Sequence, residues 1–287
     1  MTDEGKDTNA QRLLSLVEKI PAFSQSVSRV LSLAGDINCS PKTLVEVVSG
    51  DPVLTMKILR LVNSAYFGLA NRVTSVHQAL VTLGLNTLKH TALSLAMLGV
   101  LPRKNEAGLD IDALWLHSLA VGLAARRLAQ AKGVSRSESE DYFVAGLLHD
   151  VGKLVYARYE PKRFARALEA AALDQVDLTV SEQAVLGATH AEVGALLAQR
   201  WGLPEPLGGA LAGHHAPSDE NPSQLTDVVF VANQVVKRRN LGFSGNPVLS
   251  PMPAGVRERL MLNSDVVADA LAELPEELQN ARVMLQL

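Results

Sequence analysis

The chain has 287 residues, of which 47% are hydrophobic and only 4% aromatic. This apolar content is enough for a buried core and excludes a disordered chain, while the scarcity of aromatic residues favours helices over β-sheet. The formal net charge of −3 gives the chain no general attraction to nucleic acid or to anionic membrane surfaces. We therefore expect no direct DNA binding.

Three features of the chain indicate a cytoplasmic protein without a membrane anchor. The single cysteine, Cys39, excludes a disulfide framework within the chain and suits a reducing compartment. The N-terminus is polar and lacks the apolar stretch of a signal peptide. The most apolar run, Thr91 to Leu101, is shorter than the roughly 20 residues that cross a bilayer.

The first third of the chain shows helical patterns with clear start and stop signals. Ser40-Pro41 and Asp51-Pro52 each place a capping side chain before a proline at the first helical position. Glycines 68 and 84 follow the next two apolar patterns and are expected to end them. The patterns predict helices over about 51–66, 76–83 and 86–101.

A polar stretch at 102–108 reads as a linker, and a second stretch rich in Gly and Pro spans 242–255. Ser264 and Asp265 are candidate caps of a C-terminal helical tail. Between these stretches the periodicity predicts further helices over about 112–131, 140–158, 162–174, 180–187, 190–201, 205–215 and 225–239. The expected fold is all-α, with two packed helical subdomains (1–107 and 108–240) and a loop and tail (241–287).

Five of the seven histidines lie between residues 117 and 215, and they share helix faces with small or apolar residues. A lone inward histidine is more often a hydrogen-bonded core residue than a metal ligand. Several inward imidazoles on separate helices, however, supply the neutral nitrogen donors that a divalent metal prefers. The histidines concerned are His117, His149, His190, His214 and His215.

Asp150 changes how these histidines are interpreted. It shares a helix face with Phe143, Leu147 and Leu154, and a carboxylate buried there costs several kcal/mol unless it meets a cation or several donors. A divalent metal would meet that need. Lys153, three residues further on, could also pair with Asp150. The residues therefore favour a metal site and leave a lysine-paired hydrogen-bond network as the alternative.

The segment Gly146-Leu-Leu-His-Asp-Val-Gly-Lys-Leu154 resembles the signature of the HD superfamily of metal-dependent phosphohydrolases. The resemblance implies one or two ions of iron, manganese or zinc, with Asp150 as the bridging ligand and Lys153 in contact with phosphate. One ion would be held by His117, His149 and Asp150, and the other by His190, His214 and His215.

Two departures from the superfamily pattern weigh against catalysis. The superfamily ends its motif with an aspartate, where this chain has Asn233, which offers a carbonyl oxygen but no charge. After His214-His215 the chain lacks the Gly-Tyr-Pro segment that marks the cyclic-di-GMP phosphodiesterases.

The N-terminal half resembles the HDOD family, the HD-related output domain. The similarity rests on Asp51-Pro-Val-Leu-Thr, on Ile58-Leu-Arg-Leu-Val-Asn-Ser-Ala-Tyr-Phe-Gly68 and on Ser75 to Gly84, and it extends over about 11–240. It implies a helical N-terminal subdomain packed on an HD-like one. We expect Asn63 to be a buried amide that fixes a turn, and His77 and His90 to be structural.

The function expected from these resemblances is that of a bacterial signalling or output module. It would carry a metal-binding pocket and act through a protein partner, a nucleotide or a cyclic dinucleotide. The alternative is a metal-dependent phosphodiesterase or nucleotidase with a mono- or dinuclear site, in which Asp150 and Lys153 would be catalytic. Asn233 favours the signalling interpretation. The basic cluster at 237–239 is expected to be a solvated helix end.

Overall fold

A computed structural model describes residues 3–20, 25–34, 40–100, 105–246 and 248–286. Within these ranges the chain forms seventeen α-helices and a final 3₁₀ turn, and it contains no β-strand. The expected all-α class is confirmed. Cys39 and the part of the expected linker at 102–104 lie outside the described residues.

The helices follow one another through short connections. The N-terminal helices are α1 (Asp3–Glu18), α2 (Gln25–Ala34), α3 (Pro41–Ser49), α4 (Pro52–Val62), α5 (Val76–Leu83) and α6 (Leu85–Val100). The central helices are α7 (Ile111–Ala131), α8 (Ser139–Leu148), α9 (Val151–Tyr159), α10 (Pro161–Asp174), α11 (Leu178–Leu186), α12 (His190–Arg200), α13 (Glu205–Gly213) and α14 (Gln224–Arg238). The C-terminal helices are α15 (Ala254–Leu260), α16 (Ser264–Ala270) and α17 (Leu274–Ala281), followed by the 3₁₀ turn Arg282–Gln286.

Local capping explains where several helices begin and end. The Ser40 hydroxyl accepts a hydrogen bond from Thr43 N–H at 3.1 Å, and the Asp51 carboxylate accepts from two N–H groups of α4 at 3.0 Å each. Gly84 ends α5 with a φ of +83°, which favours glycine. In the C-terminal tail the prediction of Ser264 or Asp265 as the cap was wrong. Asn263 is the cap, since its side chain accepts a hydrogen bond from Val266 N–H and α16 begins at Ser264.

Helix α4 ends at Val62, four residues earlier than predicted, and Asn63 explains the difference. Its amide donates to Leu59 O and to Val73 O, both at 2.7 Å, and its Oδ1 accepts from Val73 N–H at 2.8 Å. The predicted structural role of Asn63 is confirmed, but its predicted burial is wrong, since the residue lies at the surface. The amide holds the extended chain around Val73 beside α4.

Helix α7 is the centre of the second half of the molecule and is buried along most of its length. It packs against α8, α14, α16 and α17, while α12 packs against α9 and α13. In the first half, α2, α4 and α5 pack on α6, and α6 also contacts α8. Helix α1 lies against α9 and α12. Among the helices described, none has both the length and the apolar character needed to cross a membrane.

Candidate metal centre

The motif residues His149 and Asp150 lie at a break between two helices. The sequence predicted one helix over 140–158, but α8 ends at Leu148 and α9 begins at Val151. The His149 ring nitrogen Nδ1 donates to Gly146 O at 2.7 Å, and so takes the carbonyl that a continuing helix would offer to the N–H of residue 150. The break allows both side chains to enter one pocket.

His214 repeats this arrangement at the end of α13. The helix was predicted to reach residue 215 but ends at Gly213, and the Nδ1 of His214 donates to Leu211 O at 2.8 Å. In both histidines the bond at Nδ1 leaves the Nε2 lone pair free for the pocket. Metal-ligating histidines are commonly oriented in this way by a partner on the other nitrogen.

His190 is held by a buried carboxylate, Glu182, on α11. The Glu182 Oε2 atom lies 2.7 Å from the ring Nδ1 of His190 and accepts the backbone N–H of His190 at 2.8 Å. Both side chains are fully buried. The arrangement is a carboxylate–histidine pair whose free Nε2 points towards Asp150.

The imidazole nitrogens converge on the carboxylate of Asp150. Its Oδ1 lies 3.2 Å from the Nε2 of His190 and 3.7 Å from that of His214. Its Oδ2 lies 3.3 Å from the Nε2 of His149 and 3.9 Å from that of His117. Asp150 thus belongs to two groups, each with ligand atoms within 4.8 Å of one another: His117, His149 and Asp150, and Asp150, His190, His214 and His215.

Lys153 provides one positive charge in this pocket but does not satisfy all its polar atoms. Its ammonium lies 2.8 Å from the Oδ2 of Asp150, and both side chains are buried. Nevertheless, neither Asp150 oxygen nor the Nε2 of His149 has a partner in hydrogen-bond geometry. Buried polar atoms without partners are costly. A set of nitrogen donors around one carboxylate fits a divalent cation.

Burial and neighbouring charges together set the protonation of these groups. Burial lowers the pKa of His117 and of His214 to about 3. For His190 burial also acts to lower the pKa, but Glu182 and Asp150 outweigh it and the pKa is raised. Burial would raise the pKa of Asp150, yet His149 and Lys153 hold it well below its usual range. His117 and His214 are therefore neutral and the Asp150 carboxylate is ionised near pH 7, as metal ligands must be.

Asn233 and His215 complete the set of residues that the sequence singled out. The Oδ1 of Asn233 lies 3.1 Å from the Nε2 of His117, so this amide does reach the pocket. The Nε2 of His215 lies 3.0 Å from that of His190, and its Nδ1 lies 3.7 Å from Asp177. The structure thus brings together all eight predicted site residues.

The two remaining histidines lie elsewhere, as expected. His90 contacts the backbone oxygen of Asn86 at 2.8 Å and the carboxylate of Asp141 at 2.7 Å, which are structural contacts between α6 and α8. His77 is exposed on α5.

A loop that follows α14, the covering loop (241–246 and 248–253), lies against residues that border the pocket. Gly242, with a φ of +73°, lies so close to α7 that a Cβ there would be 2.3 Å from His117 N. The next residue donates its N–H to Ala113 O at 3.0 Å. Further along, Asn246 donates to Asp177 at 2.9 Å. The site residues are buried, and among them only His215 is partly accessible.

Sequence reasoning missed two residues of the site. Glu182 shares a helix stripe with the buried Leu178 and Leu186, the same signal of a carboxylate on an apolar face that identified Asp150. Lys237 was predicted to be solvated, but it is half-buried and donates to Val248 O of the covering loop. Burial lowers the pKa of Lys237 to about 8.

Comparison with known proteins places this geometry in a family. An HDOD domain protein with unknown function from Geobacter sulfurreducens has a similar structure (TM-score 0.77, 25% identity, 97% of this chain and 100% of that one). A protein of Shewanella amazonensis SB2B, provisionally named a phosphohydrolase, is also similar (TM-score 0.73, 27% identity, 95% of this chain and 94% of that one).

A curated relative adds a match in sequence. An uncharacterized protein of Treponema pallidum (strain Nichols) is 30% identical over 230 residues, which are 78% of this chain. The match spans only 44% of the length of that relative. The model of the HDOD domain matches residues 20–217, and this chain therefore belongs to the HDOD family.

Proposed function

We propose that this HDOD protein is a signalling or output module whose HD-like pocket binds a divalent metal ion. The observation that carries the proposal is the convergence of four imidazole nitrogens on the buried carboxylate of Asp150, to which Lys153 brings only one positive charge. His117, His149 and Asp150 would hold one ion, with Asn233 as a weak neutral ligand. Asp150, His190, His214 and His215 would hold a second. Iron, manganese and zinc all suit this donor set.

Burial and charge favour signalling over turnover. The side chain of Asp150 is buried, and Asn233 supplies no negative charge to balance an ion. In such a module the metal stabilises one arrangement of α7, α9, α12 and α13, which a protein partner or a nucleotide would recognise. Metal binding to the folded state alone adds to the free energy of unfolding.

A metal-dependent phosphohydrolase is the second candidate, and Lys153 is the observation that favours it. This buried ammonium lies beside Asp150, where it could meet an anionic phosphate oxygen. A bound ion would supply a Lewis acid for the same oxygen. The likeness to the Shewanella amazonensis protein supports this candidate. It requires the pocket to open, because a substrate must reach the buried side chain of Asp150.

Metal content and turnover test both candidates. The protein should be purified without chelators and its iron, manganese and zinc measured by mass spectrometry, beside Asp150→Ala and the exposed control Asp174→Ala. We expect about one or two ions per chain in the parent and the control, and none in Asp150→Ala. A folded parent protein without metal that takes up none on titration would contradict the proposal.

The same three proteins are then assayed on phosphate mono- and diesters, nucleotides and cyclic dinucleotides. Absence of turnover by the metal-loaded parent supports the signalling role. Hydrolysis that is lost in Asp150→Ala and kept in Asp174→Ala establishes the phosphohydrolase instead.

A further inference from the structure

A wide groove lies far along the chain from the metal ligands, in the N-terminal helices. It has a volume of about 1190 Å³ and runs between α4 and the extended segment 69–74. Typical small-molecule sites measure roughly 300–1,000 Å³ and enclose their ligand. This groove is larger and open to solvent, which suits a stretch of polypeptide.

Both walls of the groove carry apolar side chains. Met56 and Leu59 line it from α4, and Leu69 and Val73 line it from the segment opposite. Met56 is 62% exposed, unusually high for a methionine in the middle of a helix. Methionine side chains adapt their shape to a bound partner and are common at such surfaces. These apolar residues share the lining with polar ones, such as Thr55 and Asn71.

The groove has a fixed shape because Asn63 ties its two walls together. The three hydrogen bonds of this amide join the last turn of α4 to the backbone of Val73 on both its N–H and its C=O. A groove that is already formed loses little entropy when a partner binds. Asn63 also lines the groove floor, so the hydrogen bonds that hold the two walls together lie where a partner would bind.

The charge of the groove indicates the partner. Arg60 and Arg72 stand on opposite walls, both exposed, and neither forms an ion pair with any described residue. None of the described residues that line the groove is acidic. The groove is therefore positive, although the whole chain carries a net charge of −3. Apolar walls flanked by unpaired arginines are complementary to an apolar segment flanked by carboxylates.

We propose that this groove, the α4 groove, binds an acidic amphipathic helix of a partner protein. Apolar side chains at helical spacing would enter between Met56 and Val73, and flanking Asp or Glu residues would pair with Arg60 and Arg72. This is the helix-in-groove mode of peptide recognition. The proposal does not depend on the metal centre, which lies on other helices.

The probe is a fluorescent synthetic peptide of about 18 residues with leucines at helical spacing and glutamates beside them. One comparison peptide has lysines in place of the glutamates, and another has the acidic sequence scrambled. Binding is measured by fluorescence anisotropy. We expect micromolar binding of the acidic peptide and at least about tenfold weaker binding of the other two.

Variants of the protein locate the site. Arg60→Glu combined with Arg72→Glu should weaken binding of the acidic peptide at least about tenfold, and Met56→Asp should do the same by removing apolar contact. Arg166→Glu, an equally exposed arginine on α10, should leave binding within about twofold of the parent. Hydrogen exchange should show protection in α4 and in segment 69–74. Circular dichroism and metal content should match the parent in every variant.

Three outcomes would overturn the proposal. The first is equal affinity for the acidic and lysine peptides, or no binding of the acidic peptide at protein concentrations up to about 100 µM. The second is peptide protection outside α4 and segment 69–74. The third is a homodimer, seen by sedimentation, that Met56→Asp dissociates, since a second copy of this chain would then occupy the groove.

Discussion

At the scale of single residues, the candidate metal centre depends on groups that orient the histidines. His149 and His214 use backbone carbonyls for this purpose, whereas His190 uses the carboxylate of Glu182. A carboxylate makes the imidazole a stronger donor than a carbonyl does, because its charge favours the developing positive charge on the ring. Glu182 is therefore the orienting group whose removal should matter most.

We predict that Glu182→Gln lowers metal affinity about 10- to 100-fold while the fold is kept. Glutamine still accepts a hydrogen bond from His190, but it brings no charge. The affinity is measured by competition with a chromogenic chelator. The exposed Glu169→Gln on α10 serves as the matched control and should bind metal as the parent does. Equal affinities in the two variants would show that Glu182 is merely structural.

The histidine pKa values predict how the metal-free protein responds to acid. His117 and His214 have pKa values of about 3 when folded and about 6.5 when unfolded, because burial disfavours their charged form. Below pH 6.5 the unfolded chain binds more protons at these sites, so stability falls as pH falls towards 3. His190, whose pKa is raised, acts in the opposite direction.

We therefore expect the free energy of unfolding of the metal-stripped protein to fall between pH 7.5 and 5. Each lowered histidine contributes a slope of up to about 1.4 kcal/mol per pH unit. Urea unfolding at several pH values measures this slope. Asp150→Ala removes a negative charge that raises both pKa values, so it should leave the fall in place. A stability that is constant or rises over this range would contradict the burial of neutral histidines.

At the scale of helices, close approaches at glycines set the geometry of the site. A Cβ on Gly152 would lie 2.0 Å from His190 O, so α9 and α12 touch backbone to backbone at this point. This contact brings Asp150, just before α9, next to His190, the first residue of α12. The distance of 3.2 Å between them depends on the absence of a side chain at residue 152.

Replacing Gly152 by alanine should separate the two helices. We expect a loss of at least about 2 kcal/mol in the free energy of unfolding, together with weaker metal binding. Gly209→Ala on α13 is the control, since a Cβ there meets nothing within 4 Å. That substitution should stabilise the protein by up to about 1 kcal/mol through helix propensity. Urea unfolding and metal titration of both variants measure these effects. A Gly152→Ala variant with the stability and metal affinity of the parent would contradict the prediction.

At the scale of the whole molecule, one partly buried arginine joins three parts of the chain. Arg126 on α7 donates to the Tyr66 hydroxyl at 2.8 Å and lies 3.4 Å from Glu140 on α8. It also pairs with Glu277 on α17, which in turn pairs with Arg127. The N-terminal helices, the HD-like helices and the C-terminal tail thus meet at a single ion-pair network.

Glu277→Ala should cost about 3 kcal/mol in the free energy of unfolding, because it leaves the largely desolvated guanidinium of Arg126 with one carboxylate partner fewer. Glu273→Ala removes a carboxylate that also pairs with Arg127 but is 75% exposed, and it should cost less than about 1 kcal/mol. Chemical denaturation of both variants measures the difference. Similar losses would mean that burial does not govern this network.

The sequence by itself determined the elements and the family. Apolar periodicity and capping residues such as Ser40 and Asp51 depend only on neighbours within about four positions, so most predicted helices lie within a few residues of the observed ones. The histidine–aspartate pattern likewise identified the five histidines and Asp150 that meet in the pocket, but not Glu182 or Lys237. The subdomain boundaries at 107 and 240 stay a prediction.

Only the tertiary structure decided how these residues meet. The contact between His117 and Asn233 joins residues 116 positions apart, which no local pattern encodes. The break at His149 arises because its side chain binds Gly146 O inside the pocket, in competition with the helical hydrogen bond. The support of His190 by Glu182 and the contact of the covering loop with α7 likewise follow from packing. Local sequence sets which groups face inward, and the packing of separate helices sets which of them touch.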